Sequence, residues 1–133
     1  MENLNRFGPL VGRLLMAFIF LFSAYGKITG FDGTVGYIAS KSLPLPQLLT
    51  VGAIIVELGG GLMVLLGWKA RLGAAALFIF TGLAALFFHN FWAAAADQMQ
   101  NQMIHFMKNI TIMGGLLYVV VYGSGPLSVD KGR

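Results

Sequence analysis

The chain has 133 residues, a net charge of +4 and no cysteine; 57% of its residues are hydrophobic and only 11% are charged. Soluble domains carry about a quarter charged residues, so this chain has too few to cover a water-exposed surface. The composition indicates an integral membrane protein, and the lack of cysteine excludes disulfides and thiolate chemistry of its own. The basic residues are scattered singly, which is typical of membrane anchors and not of a nucleic-acid partner.

Four segments are long and apolar enough to be membrane helices, which need about 20 such residues. The predicted spans are residues 8–26, 48–67, 70–92 and 103–123. No period-two alternation suggests a barrel, so the predicted fold is all-α: an integral membrane four-helix antiparallel bundle in a single domain, residues 1–133. Glycines are expected to allow close helix contacts at Gly8, Gly12, Gly59–Gly61, Gly114 and Gly115.

The charges of the connections predict the orientation of the bundle. Basic residues concentrate at the N-terminus, in the connection between the second and third spans and in the C-terminal tail, namely Arg6, Arg13, Lys69, Arg71, Lys131 and Arg133. The connection at residues 93–102 has no lysine or arginine. The positive-inside rule then predicts a multi-pass protein of the bacterial inner membrane with both termini in the cytoplasm and the two longer connections outside.

Glu57 lies alone in an uncharged stretch that runs from Leu48 to Trp68. A carboxylate at membrane depth is costly, so it indicates a functional site and requires a partner. The best candidate partner is Lys108 in the fourth span, and Lys27 at the end of the first span is the second candidate. The alternative interpretation is a structural ion pair that only fixes the register of the helices.

A polar stripe runs along the start of the fourth span. Gln98, Gln102, His105 and Asn109 recur at intervals of three or four residues, and Lys108 lies beside them. Lipid would not tolerate this stripe, so we expect it to face the bundle interior or an opening to water. With the end of the third span and Lys27, it predicts a ligand-binding pocket on the outer half, formed by Glu57, Lys108, His105, His89, Asn90, Asn109, Lys27 and Trp92.

Each of these residues also has a simpler interpretation. The two histidines could be interfacial residues that are hydrogen-bonded to loops, and Lys27 could extend its ammonium group to the lipid headgroups. Trp92 and Trp68 are typical of interface anchors. No set of metal ligands is apparent in the sequence, so we predict no metal site.

The motifs along the chain resemble those of the DoxX family of small bacterial membrane proteins. The matching segments are Phe22–Thr34, Glu57–Gly61, Leu66–Trp68, Phe88–Trp92, Met107–Asn109 and Gly125–Asp130. The resemblance implies a four-helix inner-membrane bundle associated with oxidoreductase complexes, because the family is named in relation to the membrane subunit of a thiosulfate:quinone oxidoreductase. The residues that match the family's motifs are Lys27, Asp32, Glu57, His89, Asn90, Lys108 and Asn109.

Three functions are compatible with this sequence. The first is a redox-associated subunit that has no cofactor of its own, binds a quinone or another small amphipathic ligand, and works with an oxidoreductase partner protein. The second is a transporter of protons or of a small polar solute, for which a homo-oligomer would supply additional helices. The third is a non-catalytic membrane adaptor or assembly factor that binds its partner through the outer connections.

Overall fold

The computed structural model describes residues 1–132 and is helical throughout its regular elements. Five α-helices follow one another: α1 (Glu2–Thr29), α2 (Phe31–Ser40), α3 (Pro46–Leu66), α4 (Ala70–Phe88) and α5 (Ala96–Tyr122). A short 3-10 turn (Phe91–Ala93) separates α4 from α5. Four of the helices, all except α2, are long and apolar enough to cross a bilayer. The prediction of an all-α membrane bundle is therefore confirmed.

The helices pack in an open sequence in which α1 contacts α3, α3 contacts α4, and α4 contacts α5. The helix α5 contacts α1 only weakly, and within residues 1–132 no Cα atom of α3 lies within 8 Å of one of α5. The small core includes Val64, Leu77 and Leu116, which are fully buried. Large apolar side chains elsewhere point outward, with Leu15 72% and Phe22 67% exposed. Such a surface suits lipid and not water, because lipid tails are as apolar as the side chains.

The first long connection contains a helix that the sequence analysis did not predict. Glycines at positions 30, 33 and 36 make this segment look irregular, because glycine weakens a helix interior. In the structure α2 packs against α3 and α1 and buries Ile38 to 5% exposure. Tertiary burial therefore outweighs the weak local propensity. Before α3, Leu45 adopts a positive φ of 50° and Pro46 occupies the first turn, where its missing N–H costs nothing.

The membrane helices differ at their ends from the predicted spans. The helix α1 begins at Glu2 instead of residue 8, and α5 begins at Ala96 instead of residue 103. Hydropathy detects only the apolar part of a helix, whereas these polar first turns continue the same backbone hydrogen bonding. The helix α4 ends earlier than predicted, at Phe88 instead of residue 92, because the chain turns into the 3-10 segment.

Glycines bring some neighbouring helices together, as predicted. A Cβ atom on Gly60 would lie 2.8 Å from Leu77 Cγ, and one on Gly61 would lie 2.9 Å from Leu21 Cδ2. The Met16 side chain lies against Gly115, 3.1 Å from the position of a Cβ atom there. The prediction is wrong for the remaining glycines, since a Cβ atom would meet no neighbouring helix at Gly8, Gly12, Gly59 or Gly114.

Candidate functional site

Glu57 forms its ion pair with Lys27, across the interface between α3 and α1. Lys27 Nζ lies 2.6 Å from Glu57 Oε1 and donates a hydrogen bond of 2.8 Å to Ser23 Oγ. The side chain of Glu57 is 4% exposed and that of Lys27 is 23% exposed. Side chains lean toward the N-terminus of their own helix, so residues on two antiparallel helices approach each other from opposite directions. This leaning carries the lysine toward the carboxylate.

The prediction that Lys108 is the partner of Glu57 is wrong. Glu57 lies on α3 and Lys108 lies on α5, and α4 stands between these two helices. The second candidate, Lys27, lies on a helix that packs directly against α3 and so reaches the carboxylate. The sequence could not decide between the two lysines, because it does not say which helices are neighbours.

A cleft lies beside the first half of α5. It has a volume of about 750 Å³ and includes Ile19 of α1 on one side and His89, at the end of α4, on the other. The rest of its lining comes from α5: Met103, Ile104, His105, Met107, Lys108, Asn109, Thr111 and Ile112. One turn further along α5, the contact between Met16 and Gly115 brings α1 against α5. The cleft therefore occupies the region where these two helices diverge.

Part of the polar stripe of α5 packs against α4 and His89 at its end: Gln102, His105 and Asn109 are partly buried there, whereas Gln98 and Lys108 are exposed. His89 Nδ1 lies 2.9 Å from Gln102 Oε1, and the rings of His89 and His105 stack with centroids 5.0 Å apart. The amide of Asn109 donates to the carbonyl of Thr81 at 3.5 Å. In the tautomer of a neutral His89 that donates from Nδ1 to Gln102 Oε1, the Nε2 atom is an acceptor.

The predicted pocket is thus divided into two sites. His89, His105, Lys108 and Asn109 line the cleft, whereas the described lining includes neither Glu57 nor Lys27. Within residues 1–132, no three potential ligands of a metal ion lie close together.

Two further predicted residues, Asn90 and Trp92, lie next to the cleft without lining it. Asn90 caps the 3-10 turn through its carbonyl, which accepts from Ala93 N at 3.0 Å. The Trp92 ring packs edge-on against Phe91 at 5.3 Å and against Phe106 at 5.6 Å. These contacts give Trp92 a packing role at the helix α4–α5 connection, and its role as a ligand-binding residue stays a prediction.

A second polar network, at the opposite end of the bundle, was missed in the sequence analysis. Arg13 is 2% exposed, and its guanidinium donates to the carbonyls of Val64, Leu65 and Leu127. The carboxylate of Asp130 accepts from the backbone N–H groups of Lys69 and Ala70 at 2.9 and 3.0 Å.

This network attaches the C-terminal tail to the turn between α3 and α4. It satisfies carbonyls at the end of α3 and N–H groups at the start of α4, which have no partner within their own helices. The signal available in the sequence is the position of Arg13 inside an apolar span, which indicates a buried partner as well as the orientation of the bundle.

The fold and the cleft define a small helical membrane protein with a polar site on one half of its bundle. The DoxX family model matches residues 8–90. The chain belongs to the DoxX family, which confirms the resemblance seen in its motifs. No solved structure matches the chain.

Curated relatives extend the similarity over almost the whole chain. Inner membrane protein YqjF of Escherichia coli K12 is 38% identical over 98% of this chain and 95% of its own length. Inner membrane protein YphA of the same organism is 36% identical over 92% of this chain and 87% of its own length. A Surfeit locus protein 4 homolog of Schizosaccharomyces pombe is 30% identical over 98% of this chain, which corresponds to 39% of that longer protein.

Proposed function

We propose that the protein binds a small amphipathic ligand, a quinone in the first instance, in the cleft between α1 and α5 and serves as a membrane subunit of a redox system. One observation carries this proposal: the cleft of about 750 Å³ combines apolar walls with a few polar groups. Small-molecule sites have volumes of about 300–1,000 Å³ and the same mixture of lining residues.

The polar groups of the cleft suit the oxygens of a quinone ring. Lys108 and Asn109 carry donors for a carbonyl oxygen, and both line the cleft. In the tautomer that donates from Nδ1 to Gln102 Oε1, His89 Nε2 can accept the hydrogen of a quinol hydroxyl. The chain has no cysteine. Electrons would therefore pass between the bound quinone and a partner oxidoreductase, with the histidines as proton acceptors.

The proposed location is the bacterial inner membrane, with both termini in the cytoplasm. The names of the two Escherichia coli relatives support this location. The basic residues at the N-terminus and in the α3–α4 turn support the orientation through the positive-inside rule. In this orientation the cleft opens in the outer half of the bilayer, where a lipid-soluble ligand can enter from the side.

Filling the cleft tests the proposal. Ile19→Trp places a large ring on the α1 wall of the cleft, whereas Leu15→Trp places the same ring one turn away, at a position that is 72% exposed. Protein purified in mild detergent would be extracted with organic solvent, and the extract examined by absorption and mass spectrometry. Added quinone would then be titrated against tryptophan fluorescence and by calorimetry.

We expect Ile19→Trp to lose the bound quinone and to weaken the titration at least tenfold, and Leu15→Trp to behave as the unmodified protein. A quinone affinity that Ile19→Trp leaves unchanged would count against binding in the cleft. A clean extract together with no measurable titration of the unmodified protein would reject the proposal.

The Lys27–Glu57 pair favours a second candidate function, which is the movement of protons or of a small polar solute. Glu57 lies 11 residues after the start of α3, or about 16 Å along the helix, which is near the middle of a bilayer. Ionisable residues at this depth often belong to transport pathways. Proton flux into liposomes that disappears in Glu57→Gln but survives in Ile19→Trp would support transport and separate it from ligand binding in the cleft.

A further inference from the structure

The charge that lines the cleft is positive and has no acidic counterpart among the described lining residues. Lys108 lines the cleft and is exposed, and no described residue forms an ion pair with it. The described lining of the cleft contains no acidic residue. The chain has five acidic residues in all, namely Glu2, Asp32, Glu57, Asp97 and Asp130.

None of these carboxylates is placed to neutralise Lys108. Glu57 is held by Lys27, and Asp130 accepts from the backbone at the start of α4. Asp97 precedes Lys108 by 11 residues on the same helix, a separation of about 16 Å along its axis. Asp32 belongs to α2, which packs against α1 and α3, and Glu2 begins α1 at the opposite end of the bundle.

A lysine on a membrane helix is costly unless a counter-ion or water satisfies its charge. Isoleucine and methionine side chains line the cleft together with Lys108, at Ile19, Ile104, Ile112, Met103 and Met107. The site therefore offers one cation and two stacked imidazoles beside the apolar side chains of α1 and α5.

We propose that this cleft selects a small amphiphile whose head carries an ionised oxygen, with Lys108 as its counter-ion and the isoleucine and methionine side chains of the lining holding its tail. The inference rests on the proposed function, because it specifies the ligand of the same cleft. It adds that an anionic head binds more tightly than a neutral head of the same shape. The asymmetry follows from charge-assisted hydrogen bonds, which are roughly twice as strong as neutral ones.

A matched pair of probes tests the charge of the head. The first is a 2-hydroxy-1,4-naphthoquinone with an alkyl chain, whose hydroxyl is ionised at neutral pH; the second is its neutral methyl ether. Both would be titrated against the protein in nanodiscs of phosphatidylcholine, which has no net charge. The variants are Lys108→Gln, the charge-preserving Lys108→Arg, and Lys41→Gln, a control lysine that lies over the Tyr37 ring outside the cleft.

We expect the ionised probe to bind at least tenfold more tightly than the ether, as a single charge-assisted hydrogen bond would produce. Lys108→Gln should abolish this preference, whereas Lys108→Arg and Lys41→Gln should retain it. Equal binding of the two probes, or a preference that survives in Lys108→Gln, would overturn the inference and leave the proposed function standing. Failure of both probes to bind the unmodified protein would reject the proposed function itself.

The same assay identifies the source of the anionic head. Phosphatidylglycerol added to the nanodiscs presents an anionic phosphate on a bilayer lipid. If it leaves the ionised probe bound, the result supports a small amphiphile as the occupant. Displacement of the probe at a low mole fraction, lost in Lys108→Gln, would overturn the assignment to a small amphiphile, because the occupant would then be an anionic lipid.

Discussion

Lys27 and Glu57 join α1 to α3 through an ion pair in which Nζ lies 2.6 Å from Oε1. The pair lies at the boundary between two tightly packed helices, whereas the cleft lies where α1 and α5 diverge. The two lysines therefore have different surroundings. Lys27 neutralises the buried carboxylate, whereas Lys108 is exposed and lines the cleft.

Replacing only one residue of the Lys27–Glu57 pair should destabilise the protein more than replacing both residues with apolar ones. Lys27→Met leaves a carboxylate that is 4% exposed without its counter-ion, and the loss of one partner of a buried pair costs about 3–5 kcal/mol. The double variant Lys27→Met/Glu57→Leu should recover most of this stability. The free energy of unfolding in mixed detergent micelles measures both effects.

Lys108→Met is the matched control for this comparison of single and double variants. It should change the free energy of unfolding little and should add to Glu57→Leu within about 0.5 kcal/mol, as independent sites do. Strong coupling between Lys108 and Glu57, with none between Lys27 and Glu57, would contradict the observed pairing.

The close approach of α3 to α4 depends on Gly60. A Cβ atom there would lie 2.8 Å from Leu77 Cγ and 3.3 Å from the carbonyl oxygen of Gly73. Gly60→Ala should therefore destabilise the protein by about 1–3 kcal/mol through overpacking. The adjacent Gly59 has open space around it, so Gly59→Ala should be neutral or stabilising by up to about 1 kcal/mol. Equal melting temperatures for the two variants in detergent would contradict this prediction.

Arg13 stabilises the end of the bundle opposite the cleft. Its guanidinium satisfies carbonyls of both α3 and the C-terminal tail. Arg13→Met should destabilise the protein by about 3 kcal/mol, because hydrogen bonds to a charged group are lost and buried acceptors are left unpaired. Limited proteolysis should then cleave the tail first. Arg6→Met, at an exposed position beside Phe7, serves as the control and should leave the tail protected.

Asp130 acts as an N-cap for α4 from a distant part of the chain. Asp130→Ala should cost about 1 kcal/mol, which is the usual cost of losing such a cap. Hydrogen exchange should accelerate at the amides of Lys69 and Ala70, which donate to its carboxylate. Asp97→Ala, in the exposed first turn of α5, provides the control. If the hydrogen-exchange rates of the Lys69 and Ala70 amides are unchanged in Asp130→Ala, the carboxylate does not cap α4.

The periodicity of the sequence predicted a polar stripe on α5 that faces the bundle interior or water, because such spacing is a property of a single helix. Gln102, His105 and Asn109 of this stripe are partly buried in the structure, whereas Gln98 and Lys108 are exposed. Hydropathy likewise identified four membrane helices but not their polar first turns. The glycine-rich α2 was missed because its stability comes from burial against α1 and α3, which no local pattern encodes.

The sequence by itself determined the class of protein, because lipid requires long apolar helices whose backbone hydrogen bonds are internal. It also determined that a lone carboxylate needs a basic partner. Only the tertiary structure decided that this partner is Lys27, since the choice depends on which helices are neighbours. It alone decided that Lys108 faces a cleft, and that Asp130 caps a helix from 60 residues away in the chain. Hydropathy and spacing act along one helix, whereas pairing and clefts arise from contacts between helices.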